Sequence, residues 1–335
     1  MSTRRVSIAD RSSSPSPWPN NADAAPATQQ PPPETQHGTG GASGSHGDDW
    51  RHSTQTPAAH VQPGIPPRIW QILLPKSSSA SKDTFVADPK ILIVTPSWLA
   101  MNTDYTYTLV GQKDEFVRTN FGSDPRISDL LRYLILSAAG GVYTDTDTVA
   151  LKPIDEWVPA ELRDKVAVVV GIEFDRRDGP RWVDISHWVQ FCQWTIAAAP
   201  GHPVFDKMVA RILESLDGLA KAHGVSDFGE LKKLGSFGVM NSTGPAAWTD
   251  VVFEQLQEFD SSLTDIKNLS YMEKPTLYGD MLVLPIDGFG MGQPHSQSTN
   301  DGSIPKDALV RHLFKGAWRG DKRRRAGPAA FREYQ

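Results

Sequence analysis

The chain has a single cysteine, Cys192, among 335 residues. That excludes an intramolecular disulfide and any zinc site built from several thiolates. No run of about 18 or more strongly apolar residues occurs, so no transmembrane helix is predicted. Positive charge is not in excess: 34 Lys+Arg stand against 39 Asp+Glu, a net charge of −5. Proteins that track nucleic-acid phosphates usually show the opposite balance, so nucleic acid is not an expected partner. An apolar signal segment is lacking too. Arg4 and Arg5 are followed by Ser, Pro, Asn and Gln where a signal peptide has its hydrophobic stretch. What is present is 39% hydrophobic residues, enough for one large α/β domain with appendages.

Residues 1–62 are rich in Ser, Pro and Gly and nearly devoid of aliphatic side chains larger than alanine. Such a segment cannot bury enough apolar area to offset its ordering entropy, so a disordered arm is expected. The ordered domain is expected over 63–319. A basic tail over 320–335, with the cluster Lys322-Arg-Arg-Arg, closes the chain.

Within the domain, apolar runs alternate with helical patterns. Strands are predicted at 65–74, 91–95, 105–110, 166–172 and 281–286, with a short helix near 98–102 and a helix on each side of 201–203. The runs at 91–95 and 166–172 are apolar throughout, as in strands covered on both faces. The expected class is α/β: a mostly parallel sheet flanked by helices.

The stretch 128–149 carries the chemistry. Ser128 is a plausible N-cap and Gly140-Gly141 a C-terminal stop. At about 100° per residue, Leu130, Leu131, Leu134, Ile135 and Ala138 share one arc of this helix; Asp129, Arg132, Tyr133 and Leu136 share the other. Read alone, Asp129 and Arg132 are a surface i,i+3 ion pair worth a few tenths of a kcal/mol. The following segment, 142–149, reads as one strand. It would place Tyr143, Asp145 and Asp147 on one side, the Cα atoms of successive members roughly 6.5–7 Å apart. Two carboxylates on one face repel each other and need a cation. Oxygen donors with open positions for phosphate suit Mn²⁺, or Mg²⁺.

These residues resemble a known family. The run from Asp129-Leu-Leu-Arg132-Tyr133 to Gly140-Gly-Val-Tyr143-Thr-Asp145-Thr-Asp147 is similar to the DxD-containing sugar-binding region of glycosyltransferase family 32. Segments around Trp70-Gln71, Gln193-Trp194, Ser242-Thr-Gly-Pro and His312-Leu-Phe follow in matching order, so the resemblance spans 65–319. The tryptophan–glutamine pairs look most like the fungal initiation-specific α-1,6-mannosyltransferase branch. The resemblance implies a GT-A-type fold, a GDP-mannose donor, a glycan or glycoprotein acceptor, Mn²⁺, retention at the anomeric carbon and residence in the Golgi.

Carried over by position, Asp145 and Asp147 match the metal- and diphosphate-binding pair, with Asp147 counted among the catalytic residues. Asp129 and Arg132 match the pair that grips the donor sugar, and Tyr143 matches the aromatic residue beside it. Trp70 borders the nucleotide, where base stacking and ordinary burial both fit. Gln193 is the candidate catalytic amide near the anomeric carbon, with a core-edge glutamine as the plain alternative. His312 completes the metal shell or closes over the diphosphate. The N-terminal membrane helix usual in Golgi members is not visible, the stretch before Asp129 is shorter than in relatives, and Ala317 replaces a common serine. Two readings from other classes stand beside it: a sugar-nucleotide-binding protein without turnover, and a scaffold or nuclear protein that uses the arm and the Lys322–Arg325 cluster, against which the acidic net charge speaks. A transferase that uses UDP-sugars is a further alternative within the same class.

Overall fold

The computed structural model describes residues 64–73, 93–111, 125–182, 185–225, 236–293 and 295–314. The expected arm at 1–62 and basic tail at 320–335 lie outside these residues, as do Ala317 and most of the stretch before Asp129.

An eight-stranded sheet forms the centre. Its strands are β1 (Arg68–Leu73), β2 (Thr106–Gly111), β3 (Gly141–Thr144), β5 (Val168–Asp175), β6 (Val189–Phe191), β7 (Thr195–Ala198), β8 (Thr276–Tyr278) and β9 (Met281–Leu284). The order is β2-β1-β3-β7-β5-β9-β8, with β6 paired to the end of β5. β1, β2 and β3 are mutually parallel, as are β5 and β9; β7 lies between the two groups, antiparallel to both β3 and β5. Five of the eight strands therefore point one way, in keeping with the mostly parallel sheet expected. Their C-terminal ends share one edge, the edge at which α/β proteins place ligands. A separate ribbon pairs β4 (Thr148–Ala150) with β10 (Val310–His312).

The pleat of β5 shows how both faces are covered. Val168, Val170 and Ile172 pack into one core with helices α2 (Pro125–Ala139), α3 (Pro203–His223) and α5 (Pro245–Phe259). Val169 faces a second core holding Trp98 of α1 (Thr95–Met101), Trp157, Phe289 of α6 (Ile286–Phe289) and the β4–β10 ribbon. The remaining described α-helix is α4 (Ser236–Ser242). α3 starts on Pro203, with His202 as its cap, and stops at Gly224 in the left-handed conformation.

Four expectations change. The strand expected at 91–95 is absent from its described part: Ile93 and Val94 form a turn, and Thr95 with Pro96 opens α1. The segment before Gly201 is β7 rather than a helix, a short apolar run whose period does not distinguish the two. α2 begins at Pro125, so Ser128 lies inside it; proline is well suited to a first turn. Finally, the strand expected over 142–149 is broken by a turn at Asp145–Asp147, which separates β3 from β4.

Candidate active site

The turn at Asp145 is built from both sides. Gly140 and Gly141 have φ of 59° and 98°, so a side chain at either would be strained. A Cβ on Gly141 would also meet Arg68 O at 2.7 Å. These two glycines let the chain leave α2 and drop straight between β1 and β7. At the far end of β3, Asp145 O accepts from Gln71 Nε2 (3.0 Å), Thr148 N (3.2 Å) and Thr148 Oγ1 (2.6 Å). With the Thr148 proton spent there, Thr144 Oγ1 must donate to Thr148 Oγ1, and Thr195 to Thr144. Gln71 is itself fixed by Tyr107, whose hydroxyl donates to Oε1 at 2.6 Å. The turn is therefore held rigidly from below.

Its two carboxylates face His312 from β10. One ligand atom from each of Asp145, Asp147 and His312 lies within 4.8 Å of the others. His312 Nε2 is 3.2 Å from Asp147 Oδ1 and 3.9 Å from Asp145 Oδ2. Its ring stacks on Trp194 at 4.7 Å and meets Phe314 edge-on at 4.2 Å. Phe314 N–H donates to Nδ1, which leaves the proton of a neutral ring on Nε2, facing Asp147. Ligation through Nε2 requires the other tautomer and releases the Phe314 bond. The donor set, two carboxylates and one imidazole, fits Mn²⁺ or another hard-to-borderline divalent ion.

Behind the turn lies a buried polar network. Arg132 Nη2 is 3.1 Å from Asp129 Oδ1 and 3.5 Å from Asp145 Oδ1, and it donates to Tyr143 OH at 3.3 Å. Side-chain exposures are 4% for Arg132 and 10% for Asp129. The surface ion-pair reading is thus wrong, and the reason lies in the helix orientation. Tyr133 and Leu136 are fully buried while Ala138 is exposed, so α2 turns the arc that holds Asp129 and Arg132 inward, although Leu131 of the other arc is buried too. Burial alone would favour losing the Arg132 charge. Tyr143, Asp129 and Asp145 outweigh it and hold the guanidinium above the ordinary arginine range. Burial pushes the Tyr143 phenol well up, so it stays protonated and donates to Asp145 Oδ1 at 2.6 Å. Arg132 Nε and Nη1 are buried with no partner among the described residues.

Gln193, in the bend between β6 and β7, reaches the same network. Its Nε2 is 3.5 Å from Asp129 Oδ1, and its Oε1 accepts from Tyr133 OH at 2.9 Å. Thr243, between α4 and α5, donates to Asp129 Oδ2 at 2.8 Å. Trp70 sits beside Tyr143 in register on the neighbouring strand, and its indole N–H is tied to Gly140 O at 2.8 Å. The structure thus brings Asp129, Arg132, Tyr143, Asp145, Asp147, Gln193 and His312 together, with Trp70 one strand away. Sequence reasoning missed Gln71, Tyr107, Tyr133 and Thr243 as parts of the site. The Ser242-Thr-Gly-Pro turn and the Trp70-Gln71 pair were visible as motifs, but nothing in them marked which atoms they hold.

Comparison with known proteins agrees with this geometry. The family described as "Glycosyltransferase sugar-binding region containing DXD motif" matches residues 92–164, which include α2, β3 and the Asp145–Asp147 turn. The Initiation-specific alpha-1,6-mannosyltransferase of Candida albicans is 32% identical over 308 residues, covering 80% of this chain and 76% of that protein. This chain belongs to glycosyltransferase family 32. The protein of the same name from Schizosaccharomyces pombe is 37% identical over 278 residues, 77% of this chain. The chain spans 64% of the length of that family member. Its Saccharomyces cerevisiae namesake is 24% identical over 396 residues, covering 79% of this chain and 80% of that protein. Among solved structures, the PaToxG glycosyltransferase aligns with a TM-score of 0.34 and 14% identity, over 59% of this chain and 73% of that one. No helix among the described residues is long and apolar enough to cross a membrane.

Proposed function

We propose that this family 32 protein is an α-1,6-mannosyltransferase that moves mannose from GDP-mannose to a glycan acceptor, with retention at the anomeric carbon. The observation that carries the reading is the buried Asp129–Arg132 pair set directly against the Asp145–Asp147–His312 cluster. The names of the relatives support the sugar and the linkage. Golgi residence and an N-glycan acceptor belong to the same proposal, as does a domain over 63–319 with the arm and tail as appendages.

Asp145, Asp147 and His312 hold the metal, which when bound neutralises negative charge developing on the departing diphosphate. Asp129 accepts from mannose hydroxyls, and the unpaired N–H groups of Arg132 donate to them, so the anomeric carbon meets the acceptor in one orientation. Tyr143 and Thr243 keep that pair from rotating. Tyr133 orients the Gln193 amide, whose oxygen keeps one lone pair for positive charge that builds on the sugar ring. Attack on the same face as the departing diphosphate accounts for retention, since no carboxylate nucleophile is assigned.

A donor panel tests the assignment. GDP-mannose is expected to give the fastest metal-dependent release of nucleotide and transfer to oligomannose. Preference for UDP-glucose or UDP-galactose would overturn the mannosyl reading, and tight GDP-mannose binding without transfer to any glycan would favour the silent binding protein.

A further inference from the structure

The chain contains two Asn-x-Ser/Thr triplets whose asparagines have no part in the site, Asn241-Ser-Thr and Asn268-Leu-Ser. Such a triplet accepts an N-linked glycan when its asparagine stands on the surface of a protein that enters the secretory route. The fold gives the two opposite settings.

Asn268 lies in a 3₁₀ turn, Ile266–Leu269. Side chains three apart share one face of such a turn. Leu269 is buried, and Ile266 packs with it against the core shared by α2, α3 and α5, so that face is inward. Lys267 and Asn268, on the other faces, are exposed. Asn268 Oδ1 accepts from Asp265 N–H at 2.9 Å, and Asp265 Oδ1 accepts from Lys267 N–H at 2.9 Å, a reciprocal cap that closes the turn. This cap engages only the carbonyl oxygen of the Asn268 amide. Nδ2, the atom to which a glycan is joined, takes no part in it. A glycosylated asparagine keeps its carbonyl oxygen, so the cap and the modification are compatible.

Asn241 is half-buried near the end of α4. Its Oδ1 accepts from Ser186 Oγ at 3.1 Å, and its backbone oxygen accepts from Arg211 Nη2 of α3 at 3.5 Å. Ser242 is buried, and Thr243 is tied to Asp129. A branched oligosaccharide on Asn241 would have to be fitted among α3, α4 and the Ser186 segment, two residues from the Thr243–Asp129 bond.

We propose that Asn268 carries an N-linked oligosaccharide and Asn241 does not. The co-reactant is a lipid-diphosphate-linked oligosaccharide. Its anomeric C1–O bond breaks and an Nδ2–C1 bond forms; the electron pair leaves with the lipid diphosphate, and Nδ2 gives up one proton to a base of the transferring enzyme. In the folded domain Leu269 is buried and Ser270 Oγ donates to Asp175 Oδ1 at 2.5 Å, so the triplet is not free chain and transfer precedes folding. The fold then decides which product it accommodates. The inference rests on the Golgi residence proposed above for its occurrence, not for which asparagine is modified.

The test produces the full chain in fungal cells in two forms, one with its own N-terminus and one behind a cleavable secretory leader. N-glycans are removed by an amidase in heavy-oxygen water, which converts each glycosylated asparagine to a labelled aspartate, and the peptides are read by mass. In the leader form the label is expected at position 268 in most of the folded molecules and at position 241 in none. Asn268→Gln should abolish the shift in electrophoretic mobility that the amidase causes, and Asn241→Gln should leave it unchanged. Leader-form protein without a glycan at position 268, or folded protein with one at position 241, would overturn the assignment. A glycan at position 268 in the leader form alone sinks the Golgi reading and leaves the modification site standing.

Discussion

Replacing Asp129 separates the buried pair from a surface pair most sharply. In Asp129→Ala, Arg132 loses its 3.1 Å partner and Thr243 loses the acceptor of its 2.8 Å bond. Removing one member of a buried ion pair costs about 3–5 kcal/mol because the other charge is left uncompensated. Asp145 at 3.5 Å and the Tyr143 hydroxyl at 3.3 Å still face Arg132, which places the expected loss near the lower end, about 3 kcal/mol. For a domain of this size that lowers Tm by roughly 6–12 °C. An exposed pair would cost less than about 1 kcal/mol. The assay is thermal unfolding in EDTA, so that metal binding does not enter. Asp129→Asn keeps the shape and one acceptor oxygen; it should unfold closer to wild type yet transfer mannose about ten- to a hundredfold more slowly, the scale of one or two lost hydrogen bonds to a buried hydroxyl. Affinity for GDP should be unchanged in Asp129→Asn. A Tm within a degree or two of wild type for Asp129→Ala, or wild-type transfer by Asp129→Asn, would refute the reasoning.

The remaining expectations concern the metal, the turn and the arm. Mn²⁺ is expected to raise the Tm of the wild type, and Asp145→Ala, Asp147→Ala and His312→Ala should each weaken Mn²⁺ binding, read by electron paramagnetic resonance, and remove that rise; unaltered Mn²⁺ affinity in all three would show that the cluster is not the metal site. Gln71→Leu leaves Tyr107 OH without its acceptor and takes a donor from Asp145 O, so about 1–3 kcal/mol of stability and a measurable share of Mn²⁺ affinity should go together. Loss of stability with full Mn²⁺ affinity would uncouple Gln71 from the turn. Deleting residues 1–60 should leave Tm and turnover near wild type, and a fall of several degrees would show that the arm packs on the domain.

Much of this site was legible along the chain because its signals are local. The helix ending at Gly140-Gly141, the strand after it and the spacing of Asp145 and Asp147 are short-range features of backbone preference and side-chain period. So were β1, β5 and β9, whose apolar runs differ clearly from their flanks, and β2, which alternates. The turn between Asp145 and Asp147 was not, because both Thr144–Asp145 and Thr148–Ala150 have strand-like sequences. Only the donors converging on Asp145 O, one of them from Gln71 on another strand, break the run there.

The sequence by itself determined which residues are candidates for the chemistry; the tertiary structure decided how they are presented. Periodicity marks two arcs on α2 but ranks them by hydrophobicity, and the leucine-rich arc ranks first. The protein instead packs the arc with Asp129 and Arg132 inward, because Tyr143, Asp145, Thr243 and Gln193 supply the partners that make a buried charge tolerable. Those partners come from separate elements, β3, its following turn, the α4–α5 connection and the β6–β7 bend, and no local pattern encodes their meeting. The same holds for His312, which reaches the aspartates only because β10 pairs with β4 in a register that sets it opposite Thr148. Register across distant strands follows from the packing of the whole core, and a single sequence does not contain it in any local window.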